Sequence, residues 1–298
     1  MKRCMIMLTS EYPFSVEETF LESEIDFHKD SFDRIIILAI DLQKNAEKTR
    51  AVPDNTDCYN VTPIDKKLGR NIDKAVGALR IIAPSKYYKF DKAIIKSDIK
   101  KRIFFEYFCQ RAEREYKYCA DILKKYDFSE YDEIIIYSYW LFVTSLIGIK
   151  LKNNLEKSCK KIRLISRAHG YDLCEERNPF NYLPLRKYIL ENIDRVFVCS
   201  DFGVKHLADM FPEYKNKIKN SFLGTFDHGI EEYSKSDCIN IVSCSHLAEV
   251  KRVDRIVSSL ALVKNAKFHW THIGGGELFD NVKKFAEEKL SNGSFEFK

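Results

Sequence analysis

Several features that would have decided the class of this chain at once are missing. No apolar run is long enough to cross a bilayer; the best, residues 141–149, is short and holds Thr144 and Ser145. The N-terminus, MKRCMIMLTSEYP, joins basic residues to a brief apolar run without a small-residue cleavage site, so a strand is expected there and not a signal peptide. None of the nine cysteines is spaced as CxxC, and Cys4, Cys199 and Cys244 sit inside apolar runs. That pattern argues for reduced thiols in a cytoplasmic protein, and against disulfides or zinc. No DxD cluster with an acidic partner is present, so no metal site is expected. A dinucleotide fingerprint is absent too: TSEYPF stands where GxGxxG would follow the first strand, against an NAD-dependent oxidoreductase. The net charge of +5 is mild and gives no nucleic-acid footprint.

What is present is an ordinary globular composition, 45% hydrophobic and 31% charged, over 298 residues, enough for two domains. Strands and helices alternate. Residues 3–8 form an apolar run that meets Pro13 in a loop, and EETFLESEIDFH then reads as a helix with Phe20, Ile25 and Phe27 on one side and Leu21 four before Ile25. Residues 34–40, almost wholly apolar, fit a parallel strand covered on both faces. A short strand is expected at 58–61. Residues 86–125 turn helical, basic and aromatic, with basic residues outnumbering acids. Such helices can rest on an anionic membrane face or grip a lipid-linked acceptor. The plainer reading packs Phe104, Phe105, Phe108 and Tyr116 on the sheet and leaves the charges in water.

The later strands carry the candidate chemistry. Residues 133–137 run into Tyr139 and Trp140, at a strand end where open α/β sheets bind ligands. An aromatic ring there can stack on a sugar, or simply fill the core. Residues 162–166 run into Arg167, His169, Gly170, Tyr171 and Asp172. A histidine beside an arginine and an aspartate at a strand C-terminus is a site candidate. Residues 195–200 make the next strand, followed by a helix capped at Ser200 or Asp201 and ended by Pro212, then a short strand at 217–222. Residues 228–237 are polar and irregular and read as a linker.

Beyond the linker, residues 239–244 form an apolar strand and a helix is expected to begin near Val250 or Lys251. Lys251 and Arg252 then place two cations at a helix N-terminus, against its dipole; a bound diphosphate would resolve the conflict, and a solvated first turn is the alternative. A strand at 267–273 leads to Gly274, Gly275 and Gly276, a turn that lets backbone N–H groups approach a phosphate or ribose. A last strand is expected at 295–297.

The segments SCSHLAEVKRVD, RAHGYDL, EETFLESEI and YSYW together resemble GT-B glycosyltransferases of family 4, the glycosyl transferases group 1 enzymes of bacterial polysaccharide and capsule synthesis. The resemblance spans nearly the whole chain in pattern. It implies an α/β fold with a Rossmann-like acceptor domain at 1–227, a linker at 228–237, and the beginning of a Rossmann-like donor domain at 238–298. It further implies a retaining transferase, without cofactor, that moves a sugar from a nucleotide-sugar donor to a growing polysaccharide or lipid-linked glycan, in the cytoplasm with peripheral contact at the inner membrane face.

The resemblance also implies roles. His169 faces the donor sugar, with Arg167, Asp172, Tyr139 and Trp140 on the acceptor side. Lys251, with His246, Arg252 and the three glycines, holds the diphosphate and stabilises it as leaving group. His246 stands where the family has an arginine, and Pro13-Phe14-Ser15 replaces the glycines of the first loop. The family's pair of late glutamates has no counterpart, so the resemblance also implies an incomplete donor domain with an exposed apolar edge, and, as the alternative, an inactive truncated transferase serving as an acceptor-binding or partner module.

Overall fold

A computed structural model describes residues 1–230, 237–291 and 293–298. The chain divides into two compact units, Met1–Asp227 and His228–Lys298. Of the expected linker, residues 231–236 lie outside the described residues.

The first unit contains β1 (Arg3–Thr9), α1 (Phe20–His28), β2 (Arg34–Ala39), β3 (Thr56–Asn60), α2 (Lys66–Leu79), α3 (Tyr88–Ile95) and α4 (Ile99–Leu123). It continues through β4 (Glu133–Ser138), α5 (Val143–Leu155), β5 (Ile162–Ala168), α6 (Gly170–Leu173), α7 (Arg186–Asn192), β6 (Arg195–Val198), α8 (Asp201–Met210) and β7 (Ile218–Asn220). Its strands form one 7-stranded sheet in the order β3-β2-β1-β4-β5-β6-β7, and every pairing is parallel. The order reverses between β1 and β4, so the strand ends there splay apart and open the crevice where α/β sheets take ligands.

The continuous apolar strands follow from burial on both faces. Because side chains alternate along a strand, Cys4, Ile6, Leu8, Ile36, Leu38, Ile134 and Ile136 enter one core. Their neighbours Met5, Met7, Ile35, Ile37, Ile135 and Tyr137 enter the other, with Leu21 and Ile25 of α1. Phe20 and Phe27, expected on the inner side of α1, are instead exposed; only the Leu21–Ile25 pair faces the sheet. Phe27 stacks on Phe226, whose ring centroid is 6.2 Å away. In α4 the plainer expectation holds: Phe105 and Phe108 are buried, and Phe104 and Tyr116 pack against the same core. Residue 217 ends a 3-10 turn begun by Pro212, so β7 is shorter than the strand expected at 217–222.

The second unit contains β8 (Cys238–Cys244), α9 (Val253–Leu260), β9 (Lys267–Ile273), α10 (Phe279–Lys289) and β10 (Ser294–Phe297), in a parallel sheet ordered β10-β9-β8. Trp270, Phe268, Val257 and Ala286 make its core. The edge strand β8 contributes no fully buried residue, and Ile239, Val242 and Ile273 are exposed. Among the described residues no helix is long and apolar enough to cross a membrane, and all nine cysteines are free.

Candidate active site

The first-unit candidates gather around the ends of β1, β4 and β5. Glu18 anchors the loop after β1. Its carboxylate accepts the backbone N–H groups of Ser10 (2.9 Å), Glu11 (2.8 Å) and Tyr12 (2.7 Å), and the Trp140 indole N–H at 2.6 Å. Three convergent amides form a nest suited to an anion, and here a side chain of the protein fills it. The β1 loop therefore has no free cradle for a phosphate, while Trp140 is held rigidly across the switch point.

His169 lies at the end of β5 against two aromatic rings, with centroids 4.8 Å from Tyr139 and 4.6 Å from Trp140. Neither ring nitrogen has a hydrogen-bond partner, and both atoms are buried. Burial, then the Arg167 charge, push the imidazole down to about 4, with Glu24 opposing in part. At neutral pH His169 is thus uncharged, with one nitrogen ready to donate and one to accept. Buried polar atoms without partners are rare, and these two suit the hydroxyls of a ligand.

Asp172 and Arg167 build the frame of this box. Asp172 is fully buried and accepts the N–H groups of Leu141 (2.6 Å) and His169 (2.5 Å), lacing the turn after β4 to the turn after β5. Arg186 donates to the carbonyls of Leu141, at 2.6 Å, and of Asp172, also from a buried position. Burial raises the Asp172 carboxyl to about 7 against the opposing pull of Arg186 and the backbone N–H groups. Arg167 donates to the Tyr137 hydroxyl (3.0 Å) and the Ser221 carbonyl (2.9 Å), and pairs with Glu24 at 3.0 Å. Burial lifts the Glu24 carboxyl, but His28, Arg167 and Tyr137 outweigh it and hold it below its usual value. Asp172, Arg167 and the nearly enclosed Tyr139 are consequently supports, and of the acceptor-side candidates only Trp140 borders open space.

That space is a cavity of about 250 Å³ bounded by Ser10, Asp41, Arg70, Arg111, Trp140 and Tyr171. Asp41 meets Arg70 at 2.7 Å, Arg111 at 3.1 Å and Lys66 at 3.5 Å, so three cations converge on one carboxylate. The buried Nε of Arg70 is without a partner. Asp41, Lys66, Arg70, Arg111 and Glu18 are not picked out by sequence reasoning. Asp41 could have been, as a charge just past an apolar strand; Arg70 and Arg111 come from helices far apart in the chain. A larger hollow of about 610 Å³, lined by Lys86, Tyr87, Lys150 and Tyr188, lies among helices away from the strand ends. It holds none of the unpartnered buried groups, so the smaller cavity is the better site.

In the second unit the helix does not begin at Lys251. Glu249–Lys251 form a 3-10 turn, Arg252 follows in the left-handed conformation (φ 51°), and α9 starts at Val253 with Asp254 in its first turn. Asp254 pairs with Arg252 at 3.0 Å, so the expected clash of two cations with the helix dipole is absent, and Arg252 has a carboxylate partner already. His246 and Lys251 are exposed. A cavity of about 370 Å³ beside them is bounded by Leu247, Glu249, Arg252, Asp254 and Leu278.

The glycine run fixes that loop from behind. Gly274 and Gly276 have φ of 129° and 149°, and a Cβ on either would come within 2.3 Å of the Ser245 carbonyl or 2.5 Å of the Leu247 carbonyl. Leu247 N–H donates to the Gly275 carbonyl at 2.7 Å, and Gly274 N–H to the Lys298 carbonyl at 2.8 Å. The glycines therefore serve backbone-to-backbone packing, and the Gly274 amide is already engaged. Among the described residues no group of His, Cys, Asp and Glu is arranged to hold a metal ion.

No protein-family model matches the chain, and no curated protein matches its sequence. Solved structures do. TarM is similar with a TM-score of 0.57 at 15% identity, over 100% of this chain and 76% of that one. A point mutant of S. aureus TarM, solved with Fondaparinux, alpha-GlcNAc-glycerol and UDP, gives 0.53 at 15%, over 100% and 77%. The apo form of the lipopolysaccharide outer core galactosyltransferase WaaB gives 0.52 at 13%, over 99% and 68%. These likenesses show the fold alone: α/β, Rossmann-like, of the GT-B kind.

Proposed function

We propose that the chain is a retaining glycosyltransferase of the family 4 kind, moving a sugar from a nucleotide-sugar donor to a polysaccharide or lipid-linked glycan acceptor at the inner membrane face. The observation that carries this reading is the His169 box: a neutral imidazole with two buried, unpartnered nitrogens, at the ligand-binding end of the sheet. A neutral imidazole can orient sugar hydroxyls but cannot offset the charge that grows on a departing diphosphate. That task falls to Lys251, an exposed cation, with the exposed His246 beside it, on a loop held in place by the glycine run. Arg252, next to Lys251, and the amides of Gly275 and Gly276, on the turn that packs against Leu247, assist once Arg252 leaves Asp254.

The cavity beside Trp140 takes the acceptor, with the indole face against a sugar ring and the Asp41–Arg70 pair binding its polar groups. The acceptor hydroxyl attacks the anomeric carbon on the face from which the diphosphate departs, the bond to the diphosphate breaks with its electron pair, and the hydroxyl proton passes to the departing phosphate oxygen. The test is product analysis by NMR after incubation with a nucleotide sugar and a glycan or glycolipid acceptor. A transferred sugar with the donor's anomeric configuration is expected. An epimerised nucleotide sugar as the sole product would overturn the reading in favour of an epimerase on the same fold.

A further inference from the structure

Four helices leave a trough on the first unit, away from the strand ends. It is the hollow of about 610 Å³ between the start of α3, the middle of α4, the end of α5 and α7. One wall is aromatic. Phe90 lies against Tyr188 with ring centroids 4.5 Å apart and planes tilted by 41°, and Tyr87 meets Tyr188 at 5.5 Å and 64°. Tyr87 is nearly enclosed and anchors this wall in the core, whereas Phe90 is 42% exposed and Tyr116 and Tyr188 are half-buried. The hydroxyls of the three tyrosines, and the amides of Asn153 and Asn154 at the end of α5, make no hydrogen bond among the described residues. Such a lining fits sugar rings, whose C–H groups rest on aromatic faces while their hydroxyls meet hydroxyl and amide groups at the edges.

Charge narrows the ligand further. Lys150 reaches between Tyr116 and Tyr87, its ammonium 4.8 Å and 5.8 Å from their ring centroids, and pairs with Glu113 at 2.5 Å. Glu113 is the one acid among the described lining residues, so Lys150 leaves no free carboxylate there. Lys86 and Lys89 are exposed and make no ion pair among the described residues. Their ammonium groups stand beside the wall, 5.3 Å from the Tyr87 centroid and 4.9 Å from that of Phe90. Both lysines flank the start of α3, where Tyr87 at the N-cap offers no side-chain acceptor. The first-turn acid, Asp91, is buried and accepts from the Tyr182 hydroxyl and the Leu185 N–H. Two cations at the positive end of a helix dipole are unfavourable, and an anionic ligand relieves the conflict.

Shape separates the candidate anions. The rings are tilted to one another, so they make a curved wall and not the parallel faces that clasp a single nucleobase. The trough also continues past Tyr87: a second hollow of about 620 Å³, bounded by Val76, Leu79 and Arg80 at the end of α2, shares Lys86, Tyr87 and Glu113 with the first. A long open trough suits a chain of units. We infer that it binds an acidic oligosaccharide, with sugar rings on Phe90 and Tyr188 and carboxylate or phosphate groups on Lys86 and Lys89. No lining residue is shared with the cavity beside Trp140, so this is a second site, and its binding does not depend on sugar transfer. Only its use, retaining a charged glycan away from the reacting end, rests on the proposed function.

Calorimetric titration of the full chain tests it, with tetrasaccharides of galacturonic acid and of hyaluronan as acidic probes and maltotetraose as the neutral control. An acidic probe should bind where maltotetraose does not, and less tightly as salt rises. Lys86→Glu with Lys89→Glu should weaken it about tenfold or more, and Phe90→Ala, which removes an exposed ring, about threefold or more. All three are surface positions, and circular dichroism checks that the variants fold. Failure of both acidic probes to bind, unchanged affinity in the variants, or equal binding of maltotetraose overturns the inference. So does inorganic phosphate or UDP that displaces the tetrasaccharide at equal concentration, which would make the trough a plain anion or nucleotide site. Nucleotide-sugar binding, measured on the same samples, separates the two claims: its absence with tetrasaccharide binding intact counts against the transferase reading alone, and the converse against the trough alone.

Discussion

The two loops that carry the candidate chemistry are built in opposite ways. The turn after β5 is interior: Asp172 ties its backbone to the turn after β4, Arg167 ties it to α1 through Glu24, and aromatic rings fix the imidazole. The turn after β8 is exterior; glycine carbonyls and amides hold its backbone, while Lys251 and His246 remain in solvent. A neutral hydrogen-bonding group needs to be placed accurately, because its energy depends on geometry. A cation acts at longer range and can close on its ligand. Under the proposed function, the first loop would orient the sugar and the second would neutralise charge.

The largest expected effect lies in the frame of the first loop. Asp172→Ala leaves the two buried N–H groups of Leu141 and His169 without their acceptor, and is expected to cost about 2–5 kcal/mol in chemical denaturation. Next comes Gly274→Ala, where the added methyl meets the Ser245 carbonyl at a positive φ; a loss of about 2–4 kcal/mol is expected. Hydrogen exchange should place that loss in the second unit and leave β1, β4 and β5 protected. A loss felt equally in both units would break the distinction between the loops.

A third prediction sharpens the comparison through pH. In the folded chain His169 takes its proton only near pH 4, against 6.5 ordinarily, so its contribution to stability is whole above pH 6.5 and is lost as pH falls towards 4. Asp172 runs the other way: held near 7 against 3.8, it favours the fold below pH 3.8, and that contribution is lost as pH rises to about 7. Removing the first by His169→Gln should make the variant gain on the wild type by roughly 2–3 kcal/mol between pH 7 and pH 4, seen in urea midpoints. The smallest effect on stability belongs to Lys251→Ala, expected within about 0.5 kcal/mol of wild type because the side chain is exposed.

The sequence makes some of this legible and hides the rest for physical reasons. Residues 34–40 read as a doubly covered strand because both faces of β2 are buried, which removes polar residues from both registers. His169 is legible because a polar run abruptly follows an apolar one at a strand end. Helix α2 is not: two glycines in KKLGRNIDKAVGAL weigh against a helix, and only its contact with α4 shows that they permit one. The role of Glu18 depends on a loop closing on itself, and the Asp41 cluster on helices separated by some forty positions meeting at one carboxylate. The start of α9 is misplaced by periodicity because a 3-10 turn and a left-handed Arg252 precede it.

The most direct test of the division of labour is calorimetric titration of the chain with a panel of UDP-, GDP- and TDP-sugars, repeated on His169→Ala and Lys251→Ala. One nucleotide sugar should bind. Lys251→Ala should weaken both the sugar and its free nucleoside diphosphate about tenfold, whereas His169→Ala should weaken the sugar and spare the diphosphate. Folded protein that binds no member of the panel, or binds one equally well in all three forms, would contradict the account.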